Sequence, residues 1–162
     1  MLVSLPELSR RLAFSDSEPE TASLEFLSRS LEETDRLGEI LAAALRPGTV
    51  VALDGTLGAG KTRLVQAVAA ALGVSPETVT SPTFVLIQEY HTGKMPIFHF
   101  DAYRLRDEDE FLQLGPDEYF DAGGVSFVEW AGRVSGCLPR RRWEILIEHQ
   151  GAEERKFTLR IF

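Results

Sequence analysis

The amino-acid sequence predicts an α/β domain of three layers: a mixed β-sheet with helices on both faces and two β-hairpins. Three observations predict it. The apolar run 49–53 leads into Gly55-Thr56-Leu57-Gly58-Ala59-Gly60-Lys61-Thr62, and the amphipathic run 63–72 follows, so a glycine-rich turn joins a buried strand to a helix. Strand-length apolar runs and helical patterns interleave along the chain, which favours parallel pairing. Two pairs of strand-like runs are separated only by short glycine-bearing connections, so two hairpins intrude and the sheet is not wholly parallel.

The elements follow in order. Residues 1–22, with Pro6 and the polar stretch Ser15-Asp16-Ser17-Glu18-Pro19-Glu20, read as a loosely ordered leader, and residues 23–162 as a single domain. Residues 23–27 alternate well enough for a short strand. Ser30 followed by Glu33 reads as a capping box, and Leu37, Ile40, Leu41 and Ala44 share one face of the helix it opens. Pro47-Gly48 ends that helix. After the glycine-rich turn, Leu64, Val65, Val68 and Leu72 recur at helical spacing, and Gly73 stops the run. Residues 79–84 lack periodicity and are rich in hydroxyls, the mark of a loop. Residues 84–90 and 95–101 flank His91-Thr92-Gly93-Lys94 as a first hairpin. A short helix is expected over 107–114, with Gly115-Pro116 breaking it and 117–120 forming a helical turn. Residues 125–128 read as a buried strand, and 143–149 with 155–162 as a second hairpin around 150–154. No internal repeat is present.

Bulk properties narrow the class. A chain of 162 residues is about one domain, and 44% hydrophobic with 26% charged residues excludes wholesale disorder. The longest apolar stretches, 40–45 and 67–72, fall far short of the ~20 residues needed to span a bilayer. Glu7, Arg10, Arg11, Asp16, Glu18 and Glu20 interrupt the N-terminal region, which argues against a secretion signal. The single cysteine, Cys137, cannot form an intrachain disulfide or a thiolate metal cluster, and a cytoplasmic location is expected. Its neighbours Ser135, Gly136, Leu138 and Pro139 read as a turn rather than a nucleophile's setting. The net charge of −8 disfavours tight, direct nucleic-acid binding, so a protein partner would have to supply any basic surface.

The eight-residue turn fits G-x-x-x-x-G-K-[ST] in its strand–loop–helix setting, which makes it a phosphate-binding loop. Glycines at 55, 58 and 60 let the backbone turn tightly and aim N–H groups at phosphate oxygens, and the helix N-terminus adds partial positive charge. Lys61 is placed to reach the β- and γ-phosphates of a nucleotide, and the Thr62 hydroxyl is a hard ligand suited to Mg2+. Asp101 and Glu129 each end an apolar strand run. Either acid can hold Mg2+ or a water opposite Thr62, or be a solvated strand end, and the residues alone leave the choice open. Thr83 sits on a loop able to sense a γ-phosphate, or caps a turn. His99 reads as a packed or hydrogen-bonded strand residue rather than a metal ligand. Arg140-Arg141-Arg142 reads as a solvated basic turn in preference to a cation for a transferred phosphoryl group. Trp130 packs at the core edge or stacks on a base or partner.

Taken together, these pieces resemble the TsaE (YjeE) family, small P-loop ATPases of bacterial tRNA threonylcarbamoyladenosine formation. The resemblance rests on Thr34-Asp35-Arg36-Leu37-Gly38, Leu57-Gly58-Ala59-Gly60-Lys61-Thr62, Ser81-Pro82-Thr83-Phe84, His99-Phe100-Asp101-Ala102-Tyr103-Arg104-Leu105 and Val128-Glu129-Trp130, in that order. It implies a P-loop NTPase-like fold and an ATP site formed by Leu57, Gly58, Ala59, Gly60, Lys61 and Thr62. It implies Mg2+ bound by Thr62 and Glu129, with Lys61, Asp101 and Thr83 serving hydrolysis. Trp130 would lie near the site, and residues 31–34 would approach the adenine. The implied partners are TsaB- and TsaD-type proteins, with little direct tRNA binding and no membrane. The chain departs from the family pattern at Thr56, where an aspartate is usual, and at Ala102, where a leucine is usual. A small-molecule kinase using Arg140 to Arg142, and a nucleotide-sensing module with negligible turnover, are the competing readings.

Overall fold

The computed structural model describes residues 1–13 and 21–162, without the side chains of Thr21 and Ala22. Seven strands form one sheet in the order β1 (Thr21–Ser28), β7 (Arg155–Ile161), β6 (Trp143–His149), β2 (Val50–Asp54), β5 (Val125–Glu129), β4 (Ile97–Asp101), β3 (Ile87–Tyr90). The pairs β6–β2, β2–β5 and β5–β4 are parallel, whereas β1–β7, β7–β6 and β4–β3 are antiparallel. The mixed sheet therefore has a parallel centre of β6, β2, β5 and β4, and each expected hairpin contributes one strand to it and one outside it.

Side chains on a strand alternate between faces, and the core divides accordingly. Val51, Leu53, Ile97, Phe127, Ile145 and Ile147 pack with Leu8, Leu12, Leu37, Leu41, Leu64 and Val68 on one face. These belong to helices α1 (Leu5–Ala13), α2 (Leu31–Ala44) and α3 (Lys61–Ala71). Val50, Ala52, Phe98, Phe100 and Val128 pack on the other face with Phe111, Phe120 and Val134. Those come from α4 (Glu108–Gln113), α5 (Pro116–Phe120) and the 3-10 segment Ala131–Cys137.

Local chemistry sets the helix ends. Ser30 accepts a hydrogen bond from the Glu33 amide at 3.1 Å, and the Glu33 carboxylate accepts from the Arg29 amide at 2.7 Å, one residue further back than in a standard capping box. Arg46 Nη1 donates to the carbonyls of Ala43, Ala44 and Leu45 and so caps α2 at its other end. At the end of α3, Gly73 adopts φ +90°, the Val74 amide donates to Ala69 O and the Gly73 amide to Ala70 O, a Schellman closure.

Two expectations are corrected. Residues 5–13, assigned to a loose leader, form α1, with Leu8 and Leu12 buried in the larger core. The reason is amphipathicity: one face of a short helix carries the leucines, and Glu7 pairs with Arg10 and Arg11 on the other. Ahead of it, Leu2 bridges Glu25 in parallel, with Val3 N donating to Glu25 O at 2.8 Å, which covers part of the outer edge of β1. The polar stretch 15–20 lies outside the described residues. The first strand of hairpin β3–β4 begins at Ile87 rather than at 84, because residues 81–86 leave the ladder. Leu86 turns at φ +68° with its amide on Pro82 O, and Phe84 is exposed. Among the described residues no helix is long and apolar enough to cross a membrane.

Candidate active site

The phosphate loop lies between the C-terminal end of β2 and the start of α3. It packs too closely against β6 for a side chain at its first position: a Cβ on Gly55 (φ +152°) would lie 2.5 Å from Ile147 O. Gly60 caps α3 in the left-handed region at φ +112° and leaves the first-turn N–H groups facing outward. The side chain of Thr56 is exposed, and its carbonyl accepts from Lys61 Nζ at 3.0 Å and from the Ala59 amide at 3.0 Å. The loop's closure therefore uses the Thr56 backbone, whatever the side chain there.

Lys61 is 5% exposed. Its ammonium donates to Gly55 O at 2.7 Å and stands 4.0 Å above the Trp130 ring. Burial pushes its pKa below the ordinary lysine value, while the nearby carboxylates of Glu129, Asp101 and Asp54 oppose that shift. Trp130 reaches this position because the chain leaves β5 in the left-handed region at φ +58°. Asp54 fixes the same turn by accepting from the Gly132 amide at 3.0 Å.

Strand alternation puts His99 and Asp101 on the face of Ile97, and Glu129 on the face of Phe127, both toward α3. Asp101 and Glu129 are register partners on adjacent parallel strands, each 2% exposed. Thr62 Oγ1 donates to Glu129 Oε1 at 2.7 Å, and His99 Nε2 lies 2.8 Å from the same oxygen. Asp101 is engaged at both oxygens. Its Oδ2 accepts from Ser81 and Thr83 hydroxyls at 3.0 Å each, and its Oδ1 accepts from the Tyr103 amide at 2.8 Å.

The structure thus brings Lys61, Thr62, Thr83, Asp101, Glu129 and Trp130 to one end of the sheet. Ser81, Asp54 and Tyr103 join them, none of which stands out in the sequence by residue type. Tyr103 stacks on Trp130 with ring centroids 4.8 Å apart. His99, read as a bonded strand residue, is fully buried against Glu129. Arg140 to Arg142 are not part of this group. They precede β6, at the opposite end of the parallel strands from the phosphate loop, and Arg142 pairs with Glu144 at 2.6 Å. Cys137 is likewise remote, and burial together with Glu108, Asp109 and Asp117 pushes its thiol pKa up, away from a nucleophile's requirement.

A hydroxyl and a carboxylate converging beside a buried lysine fit a hard cation such as Mg2+, which takes oxygen donors and one or two carboxylates. Among the described residues no group of three or more His, Cys, Asp or Glu is placed to hold a metal unaided. Phosphate oxygens and water would complete the shell.

Fold and site together define a phosphate-loop nucleotide-binding protein of the α/β class. Residues 28–157 match the family model described as threonylcarbamoyl adenosine biosynthesis protein TsaE, and the chain belongs to that family. It is 45% identical over 127 residues to the tRNA threonylcarbamoyladenosine biosynthesis protein TsaE of Bacillus subtilis, covering 78% of each chain. It is 39% identical over 139 residues to that of Aquifex aeolicus, covering 85% of this chain and 95% of the relative. The crystal structure of Bacillus subtilis YdiB superposes with a TM-score of 0.73 at 36% identity, over 90% of this chain and 88% of that one.

Proposed function

We propose that this chain is a Mg2+-dependent ATPase that acts with TsaB- and TsaD-type proteins in forming the threonylcarbamoyl group on the adenosine next to the anticodon of tRNAs, in the cytoplasm. The observation that carries this reading is the 2.7 Å contact of Thr62 Oγ1 with Glu129 Oε1 beside the buried Lys61. Taking a carboxylate and an ammonium out of water costs several kcal/mol each in order-of-magnitude terms. A phosphate chain with its cation offsets that cost where a surface ion pair would not.

The geometry supports the following roles. The backbone N–H groups of the loop, from Leu57 through Thr62, bind phosphate oxygens. Lys61 exchanges Gly55 O and Thr56 O for β- and γ-oxygens, a short displacement because it already points into the loop. Thr62 and Glu129 would hold Mg2+, which when bound would supply neutralisation of the charge on those oxygens. Asp101 and Thr83 work as a unit. In this conformation the hydroxyls of Ser81 and Thr83 share Asp101 Oδ2, and drawing Thr83 onto a γ-phosphate would open one acceptor position on that oxygen, beside Ser81, to orient the attacking water. Arg140 to Arg142 cannot reach the phosphates from the far end of the sheet, so the kinase alternative loses its cation.

Phosphate release from ATP, measured with and without a TsaB–TsaD pair, tests the proposal. Slow turnover alone and a severalfold rise with the pair are expected. An unchanged rate removes the partner-driven part of the reading, and no turnover in either state leaves a nucleotide-sensing module in its place.

A further inference from the structure

The β5 side of the phosphate loop carries contacts that nucleotide binding must rearrange. The β7 side carries one that it need not. Arg155, the first residue of β7, pairs with His149 and Ser28 at the same end of the sheet as the loop. Its Nε donates to Ala59 O at 3.1 Å, while its Nη1 donates to the carbonyls of Gly151, Ala152 and Glu154. The guanidinium is therefore fastened to the β6–β7 turn and holds one particular peptide of the loop, that between Ala59 and Gly60.

In a trans peptide the C=O and N–H point in opposite directions. A donor that holds Ala59 O toward β7 turns the Gly60 N–H away from β7, into the concave side of the loop. Gly60 stands at φ +112°, and its N–H meets no acceptor among the described residues. Ala59 is fully buried, so water does not compete with Arg155 for its carbonyl. We infer that Arg155 is a positioning residue for the phosphate cradle: through Ala59 O it fixes the Gly60 N–H as a donor to the β-phosphate of a nucleotide. This rests on the nucleotide reading above and adds to it a residue outside the loop motif.

A hydrogen bond from a charged donor, lost from a preorganised cradle, is expected to cost about tenfold in affinity. The cost falls on the phosphate the cradle holds. Equilibrium binding of ADP and AMP without Mg2+ isolates it, since the two differ in the β-phosphate alone. In Arg155→Met the preference for ADP over AMP falls about tenfold with AMP affinity unchanged, while thermal unfolding confirms a folded chain. Arg155→Lys, which keeps a donor for Ala59 O, retains the preference within about threefold. An unchanged preference in Arg155→Met, equal weakening of ADP and AMP, or equal losses in the Lys and Met variants overturns the inference. If Arg155→Met does not fold, Arg155→Ala takes its place with the same expected and overturning outcomes, and a loss beyond about threefold in the Lys variant overturns the tether. A wild-type chain that fails to distinguish ADP from AMP overturns the nucleotide reading instead.

Discussion

At the C-terminal ends of β2, β4 and β5, Lys61, Asp101 and Glu129 are only 5%, 2% and 2% exposed. At the opposite end, where β6 begins, Arg140 and Arg141 stand in solvent and Arg142 rests on Glu144. Both ends carry several charges, but they treat them differently. A half-buried pair at the rim such as Arg142–Glu144 contributes about 1 kcal/mol, and exposed cations such as Arg140 and Arg141 suit almost any surface. Buried groups converge at the first end on few partners, with Thr62 and His99 sharing one oxygen of Glu129 and two hydroxyls sharing one of Asp101. Such an arrangement is destabilising unless something further binds there, which separates a site from a charged patch more surely than the number of charges does.

The largest expected effect tests whether Glu129 differs from Asp101. In Glu129→Gln the Thr62 and His99 contacts keep an acceptor, but the negative charge is gone. Mg2+-dependent ATP turnover should fall on the order of 100-fold or more, while nucleotide binding without Mg2+ is retained. Titration of Mg2+ at saturating ATP checks it. Full activity in this variant would move the metal role to Asp101 and reverse the assignment between the neighbouring strands.

How much of this was legible in the sequence depended on the range of the interaction. The phosphate loop is a contiguous motif whose glycines, lysine and threonine carry their meaning locally, and residues 49–72 read correctly as strand, loop and helix. Asp101 and Glu129 were legible as strand ends, yet their register and shared face come from the β4–β5 pairing, which no local pattern encodes. Arg155 could not be found, because its partner is 96 residues away in the chain and bonds through a carbonyl that leaves no side-chain signature. α1 is not legible, because Pro6 and the polar stretch 15–20 suggest a loose leader until the leucines at 8 and 12 meet the core. The segment 84–86 has strand composition, and tertiary attachment of Ser81 and Thr83 to Asp101 overrides it.

A smaller effect separates packing from chemistry beside the site. Gly38 in α2 has helical geometry, and its value lies in closeness: an added Cβ would meet Ala67 Cβ at 2.5 Å and the Ala67–Val68 backbone within 2.9 Å. Gly38→Ala must push α2 from α3 and is expected to cost about 1–3 kcal/mol. Thermal unfolding should drop by roughly 2–4 °C per kcal/mol. Turnover measured well below the transition should stay close to that of the unaltered chain, since α3 still presents Lys61 and Thr62. A variant that kept its stability but lost turnover would show that the α2–α3 contact belongs to the site rather than to the scaffold.

The smallest effect is expected at the far end of the sheet, and there a null result is informative. Replacing Arg140 and Arg141 together by alanine removes two exposed cations that make no hydrogen bond or ion pair among the described residues. Stability should change by no more than about 0.5 kcal/mol per site, and ATP turnover should be unaltered, as read by unfolding and by phosphate release. The double change leaves Arg142 on Glu144 and Pro139 O, so the start of β6 keeps its local anchor. If turnover nevertheless collapsed with the fold intact, charge at the solvated end would have to act on the phosphates. The contrast between buried, convergent groups and dispersed surface ones would then fail, and transfer of the γ-phosphate to an acceptor would return as the reading to test.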